Sequence, residues 1–205
     1  MSKVLVFGAG GRAGRAAVDE ARRRGHEVTA AVRTPSKYSD LPVEVVAGDV
    51  TDPSAIADLA AGHDAVIAAV YDGGSDPAEF FPKAAQALVD GLGKTRLVWV
   101  GLTSLLPTES GVLLMDTPGY PQEYRGFFLA HQAAADLFAE SELDWVSIAP
   151  AGDFDHAHPE RTGAYRIAPA VADSRISYAD LAIALLDEID EPRQHGTRIG
   201  VAQEK

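Results

Sequence analysis

Cysteine is absent from all 205 residues, which excludes a disulfide framework, a thiolate nucleophile and a cysteine-ligated metal. Long apolar runs are missing as well. None reaches the roughly 20 residues that cross a bilayer, and the first strand-like run begins at Lys3, with no room for a leader ahead of it. Positive charge is short. Against 30 Asp and Glu stand 18 Lys and Arg, and the formal net charge of −12 argues against nucleic acid and membrane surfaces as partners. These absences leave a cytoplasmic protein as the expectation. A local basic pocket for a phosphate is still compatible with that charge. Internal repeats and low-complexity tracts are missing too. A 205-residue chain with 46% hydrophobic content suits one well-buried α/β domain spanning its whole length.

What is present is concentrated at the start. Residues 3–7, KVLVF, read as a buried strand, and Gly8, Gly10, Gly11 and Gly14 follow at once. From Arg12 onward, Ala13, Ala16, Ala17 and Ala21 recur at helical spacing between charges. A strand, a glycine turn and a helix place a helix N-terminus under a diphosphate, with free N–H groups and the helix dipole favouring its charge. The spacing fits two registers, Gly8-x-Gly10-x-x-Ala13 and Gly8-x-x-Gly11-x-x-Gly14. A second strand, 27–32, ends at Arg33. An acidic residue there suits the ribose hydroxyl of NAD and a basic one the 2′-phosphate of NADP. With Arg33 and Lys37 there, and no carboxylate before Asp40, the expected cofactor is NADP(H), with NAD(H) the alternative if those charges are only solvated loop residues.

Strands are expected at 44–47, 65–70, 96–100 and 145–149, with helices from Pro53 to about Ala61, at 78–91 and at 122–140. Asp52 before Pro53 is a helix start. The unbroken apolar run 65–70 belongs in a parallel sheet covered on both faces. This alternation predicts a single Rossmann-like, doubly wound parallel sheet with helices on both faces and the ligand crevice at the strands' C-terminal ends. Beyond Pro150 the pattern loosens to a short strand near 164–167, a helix over 178–189 behind the cap Ser177, and a last edge strand at 198–201. Loops 105–121 and 150–175 are expected to form a small lid on the substrate side.

These residues resemble a known group, the atypical short-chain dehydrogenase/reductases that bind NAD(P)H. Within it they are similar to small NADH–flavin-reductase-like members, related to biliverdin-IXβ/flavin reductases and to NmrA-like redox sensors. The likeness rests on GAGGRAG (8–14), Arg33, GDVTD (48–52), VWVGLTS (98–104), DTPGYPQEY (116–124), LDWVSIAPAGDF (143–154), ERTGAYR (160–166) and RISYADLAIALLDEID (175–190). The resemblance implies that Gly8, Gly11, Gly14 and Arg12 hold the diphosphate and Arg33 the 2′-phosphate. It sets Asp49 and Val50 beside the adenine, and Ala68, Ala69 and Val70 along the nicotinamide ribose. Thr103 and Ser104 would face the nicotinamide and substrate, and Pro150 and Ala151 would close over its ring. One departure stands out. The Tyr-x-x-x-Lys pair of typical members is missing, since Tyr124 is followed four residues on by Phe128.

Without that pair, hydride transfer to a planar acceptor such as a flavin or quinone is the expected reaction, because it needs positioning more than a strong acid. A binding protein that senses NADP(H) without turnover, and a reductase, epimerase or dehydratase of a biosynthetic intermediate, are the alternatives. Ser104 is the expected hydrogen-bond donor at the reacting ring, or else a turn hydroxyl. Tyr124 and His131, two helical turns apart, share a helix face and are candidate general acids; His131 would need no tuning. Otherwise His131 packs against the fifth strand and Tyr124 caps the loop. Tyr71, Asp72 and Phe154 are candidate substrate contacts. Phe80, Phe81, Phe127 and Phe128 read as packing aromatics. Asp153, Asp155, His156 and His158 offer metal-type ligands, but a polar substrate loop is the preferred reading and no metal is assigned.

Overall fold

The strand that begins at Lys3 becomes the centre of an eight-stranded sheet. A computed structural model describes residues 1–151, 153–154 and 160–204. Six parallel strands, β1 (Lys3–Phe7), β2 (Glu27–Val32), β3 (Glu44–Ala47), β4 (Ala65–Ala68), β5 (Arg96–Val100) and β6 (Trp145–Pro150), lie in the order β3-β2-β1-β4-β5-β6. This is the doubly wound order, with the reversal beside β1. Between them run α1 (Arg12–Arg23), α2 (Pro53–Ala60), α3 (Pro77–Gly91) and α4 (Arg125–Ala139), and α5 (Tyr178–Asp190) follows later.

The alternation of β1 explains the two layers. Val4 and Val6 pack with α1 and α5, while Leu5 and Phe7 face α2, α3 and α4. Both faces are covered, so β4 is apolar at every position and fully buried. Helix starts are set locally. Asp52 accepts from the N–H groups of Ser54 and Ala55, and Asp76 from that of Ala78, each with Pro in the first turn.

Several boundaries differ from those the sequence suggests. β4 ends at Ala68 rather than Val70, so Ala69 and Val70 emerge from the sheet. α4 starts at Arg125 rather than Gln122, because the Gln122 amide is tied to the carbonyls of Met115 and Tyr120, both at 3.0 Å. The last strand, β10 (Thr197–Gln203), is not an edge. It pairs parallel with β6 and antiparallel with β8 (Tyr165–Ile167), which forms the edge instead. β7 (Asp153–Phe154) and β9 (Arg175–Ile176) make a separate parallel pair. The expected lid loops lean on each other: Leu106 and Leu114 pack with Ala149 and Ala170, and Ala170 N–H donates to Pro107 O at 3.1 Å.

The segment 160–166 is locked by a buried carboxylate. Ser177 caps α5 by accepting from Asp180 N–H, but the Asp180 side chain does not reciprocate. It accepts instead from Thr162 N–H (2.9 Å), Thr162 Oγ1 (2.7 Å) and Gly163 N–H (3.0 Å). Arg161 next door reaches Glu20 of α1 at 3.0 Å. Burial opposes the charge of Glu20, yet Arg23, Arg161 and Arg24 outweigh it and hold its pKa at about 2. Removing the Asp180 acceptor strands two backbone donors. Asp180→Ala is therefore expected to cost about 3 kcal/mol, read as a lower melting temperature; a loss below about 1 kcal/mol would contradict the lock.

Candidate functional site

At the C-terminal ends of β1, β2 and β4 lies a cleft of about 810 Å³. Its floor is the glycine turn. Gly8 has φ +75°, and a Cβ there would sit 2.1 Å from the Ala69 carbonyl oxygen. Gly11 N–H closes the turn on Gly8 O at 3.0 Å, and Gly11 then caps α1 with no side-chain partner and no acidic residue in the first turn. Gly11, Arg12 and Ala13 all face the cleft, so the helix N-terminus opens onto it. Gly10 also lines it. Gly14 does not: it lies inside α1, where a Cβ would meet Gly8 O at 2.2 Å, so its task is close helix–strand packing.

One end of the cleft is polar, with Arg33, Lys37, Tyr38, Asp49 and Val50 on its wall. Asp49 is fixed by Thr51, whose N–H and hydroxyl both donate to it at 2.9 Å. Arg33 spans to Asp72 through two contacts, Nη1–Oδ2 at 2.8 Å and Nη2–Oδ1 at 3.3 Å. Arg33 and the donors of Ser75 and Gly74 hold the Asp72 carboxyl at about 2.

The other end is aromatic. Tyr71, Phe80, Phe81, Phe127 and His131 line one side, and Pro150, Phe154 and Tyr178 the other, with Gly101 and Leu102 between. Phe154 stacks on Tyr178 at 3.7 Å between ring centroids. Tyr178, Tyr38 and the three phenylalanines were not singled out as contacts from sequence. Phe81 is indeed a core residue, and it also lines the cleft.

Other candidates lie elsewhere. Ala68 is buried in β4 and Ala151 extends β6 by donating to Val201 O, so neither faces the cleft. Thr103 and Ser104 sit in a buried turn beyond Gly101 and Leu102; neither hydroxyl has a partner among the described residues. Tyr124 precedes α4 and is 57% exposed, away from the cleft wall. It does not meet His131. Of the metal-type residues 153–158, Asp155, His156 and His158 lie outside the described residues.

His131 needs the larger correction. It is buried against Phe81, with centroids 3.8 Å apart, and near Trp99 of β5. Burial lowers its pKa to about 3, so at neutral pH it is an uncharged imidazole rather than a ready acid. The unfolded chain binds a proton there near 6.5, and the folded protein only near 3. The stability held by the neutral ring is complete above 6.5 and lost as pH falls toward 3. Melting curves across that window should show His131→Leu less acid-sensitive than wild type, by up to about 1.4 kcal/mol per pH unit. An identical pH slope in the two proteins would contradict it.

A family model described as NAD(P)H-binding matches residues 8–192, from the glycine turn through α5. The chain belongs to this NAD(P)H-binding family. The uncharacterized protein YwnB of Bacillus subtilis (strain 168) is 38% identical over 98% of this chain and 99% of its own. Two solved structures share the fold with a TM-score of 0.86 each. A candidate exported protein of Burkholderia pseudomallei is 36% identical over 99% of this chain and 100% of its own. A candidate NADH-flavin reductase of Streptococcus pneumoniae TIGR4 is 31% identical, covering both chains completely. Among the described residues no helix is long and apolar enough to cross a membrane.

A nicotinamide dinucleotide fits the residues of this cleft. The Gly8 cradle leaves no space for a side chain. The α1 N-terminus carries no competing carboxylate, and Arg12, Arg33 and Lys37 bring positive charge to an otherwise acidic chain.

Proposed function

We propose that the protein is an NADPH-preferring oxidoreductase that delivers hydride to a planar acceptor such as a flavin or quinone, in the cytoplasm. The observation that carries this reading is the division of the cleft into a basic end at the α1 N-terminus and an aromatic-walled end beside Tyr178 and Phe127. Gly8, Gly10 and Gly11, with the first N–H groups of α1 and Arg12, are assigned to the diphosphate. Arg33 is assigned to the 2′-phosphate, Asp49 and Val50 to the adenosine, and Ala69, Val70 and Pro150 to the nicotinamide end. Tyr71 and Phe154 are assigned to the acceptor.

When bound, the nicotinamide supplies the hydride. The chain's own part is to orient two flat rings and keep water from between them. The likeness to a candidate flavin reductase supports a planar acceptor. Lack of the Tyr-x-x-x-Lys pair supports an acceptor that needs no strong acid. Neutral His131 can hydrogen-bond at the aromatic end, and the accompanying proton comes from solvent. Ser104, buried in the turn after Leu102 and off the cleft lining, is not assigned to the acceptor.

The test is NADPH oxidation, followed by nicotinamide absorbance, with FMN, FAD and a simple quinone in turn. Turnover above the uncatalysed rate is the expected result. Tight NADPH binding without turnover of any of the three contradicts this reading and favours a sensor, or an enzyme for a specialised intermediate.

A further inference from the structure

We propose that Asp72 sets the cofactor selectivity of the cleft by competing with a ligand's 2′-phosphate for Arg33. The inference rests on the dinucleotide reading above and deepens it.

Arg33 follows β2 and Asp72 lies four residues beyond β4, and these two strands flank β1. Their ion pair therefore passes over the end of β1, where the glycine turn begins. The two partners are not equally held. Asp72 is 16% exposed and fixed by its own loop, accepting from Ser75 Oγ at 2.8 Å and Gly74 N–H at 3.1 Å. Arg33 is 63% exposed, and both of its contacts to Asp72 come from the guanidinium fork. That fork is the part of arginine that matches a phosphate, because two parallel N–H groups suit paired oxygens on either anion.

A 2′-phosphate at Arg33 must then take the fork from Asp72 or share it beside a fixed carboxylate. Either way the gain is reduced, by a lost charge-assisted pair or by repulsion between like charges. Asp49, also on this wall, adds a second negative charge facing Arg33, while Lys37 and Arg12 partly offset both. A ribose 2′-hydroxyl makes no claim on the fork and meets no such repulsion. Asp72 thus narrows the advantage that Arg33 gives NADPH, and the cleft accepts both nucleotides more evenly than Arg33 alone would dictate.

The experiment is a binding titration, free of turnover, with NADPH, NADH and 2′,5′-ADP on wild type, Asp72→Asn and Ser75→Ala. Asp72→Asn keeps the shape and removes the charge; its amide oxygen can still accept from Gly74 N–H, and its NH2 can donate to Ser75 Oγ in place of the bond that hydroxyl now donates. It should tighten NADPH and 2′,5′-ADP about tenfold, the size of one charge-assisted hydrogen bond, and leave NADH within about twofold. Ser75→Ala, which only loosens the anchor, should move the same ratio in the same direction by less. An unchanged or lowered NADPH-to-NADH ratio in Asp72→Asn overturns the inference while wild-type binding leaves the dinucleotide reading standing. No binding of either nucleotide by wild type or variant overturns both.

Discussion

Gly8→Ala is expected to cost about 3–4 kcal/mol of stability and to weaken dinucleotide binding by more than tenfold in the protein that remains folded. Two effects add. The backbone at Gly8 has φ +75°, a left-handed conformation that alanine adopts only with strain of about 1 kcal/mol. The new Cβ would also sit 2.1 Å from the carbonyl oxygen of Ala69. That oxygen belongs to backbone leaving β4, and Ala69 N–H is itself bonded to Phe7 O at 3.1 Å, so neither side yields without shifting the sheet. The displaced turn is the one that presents the α1 N–H groups to the cleft. Gly62→Ala is the matched control, since its Cβ meets nothing within 4 Å and its φ is not positive. Thermal melting of both variants, with an NADPH titration, tests the claim. Equal melting temperatures for the two variants would contradict it.

Arg33→Asp is the second large effect. It removes the guanidinium fork assigned to the 2′-phosphate and sets a second carboxylate opposite Asp72 in its place. NADPH affinity should fall on the order of 100-fold, about 2.7 kcal/mol, while NADH changes by less than about threefold. Arg33 is exposed and its loss leaves no buried group unpaired, so melting should move by no more than a few degrees. Parallel titrations with the two nucleotides give the answer. Equal losses for both would remove Arg33 from the phosphate role, and with it the NADPH preference.

The parts of this account that could be read in the sequence are the local ones. A glycine turn between an apolar strand and a helix, and Asp52 or Asp76 set just before proline, specify their geometry within a few residues. β10 reads as an edge in sequence because its neighbour β8 lies 30 residues earlier, and nothing in its own pattern announces that pairing. Tyr124 and His131 share a face only if one helix carries both. The helix begins after Tyr124, so one ring is exposed and the other buried. The neutral state of His131 depends on Phe81, Phe127 and Trp99, which come from three different elements. The Arg33–Asp72 pair joins residues 39 positions apart, and neither residue type alone implies it. Helical periodicity shows which face of a helix is buried; it does not show which buried rings reach the end of the sheet, and so Phe81, Phe127 and Tyr178 carry no local sign that they line the cleft.

The central claim is that the glycine turn and the α1 N-terminus hold the diphosphate of a nicotinamide dinucleotide, with its two ends in the basic and aromatic parts of the cleft. Diffraction from crystals grown with NADPH tests this most directly. The account predicts diphosphate density against the N–H groups of Arg12 and Ala13, with the 2′-phosphate on Arg33 and the nicotinamide beside Val70 and Pro150. A dinucleotide bound with its diphosphate away from that turn, or its nicotinamide end at Arg33, would contradict it.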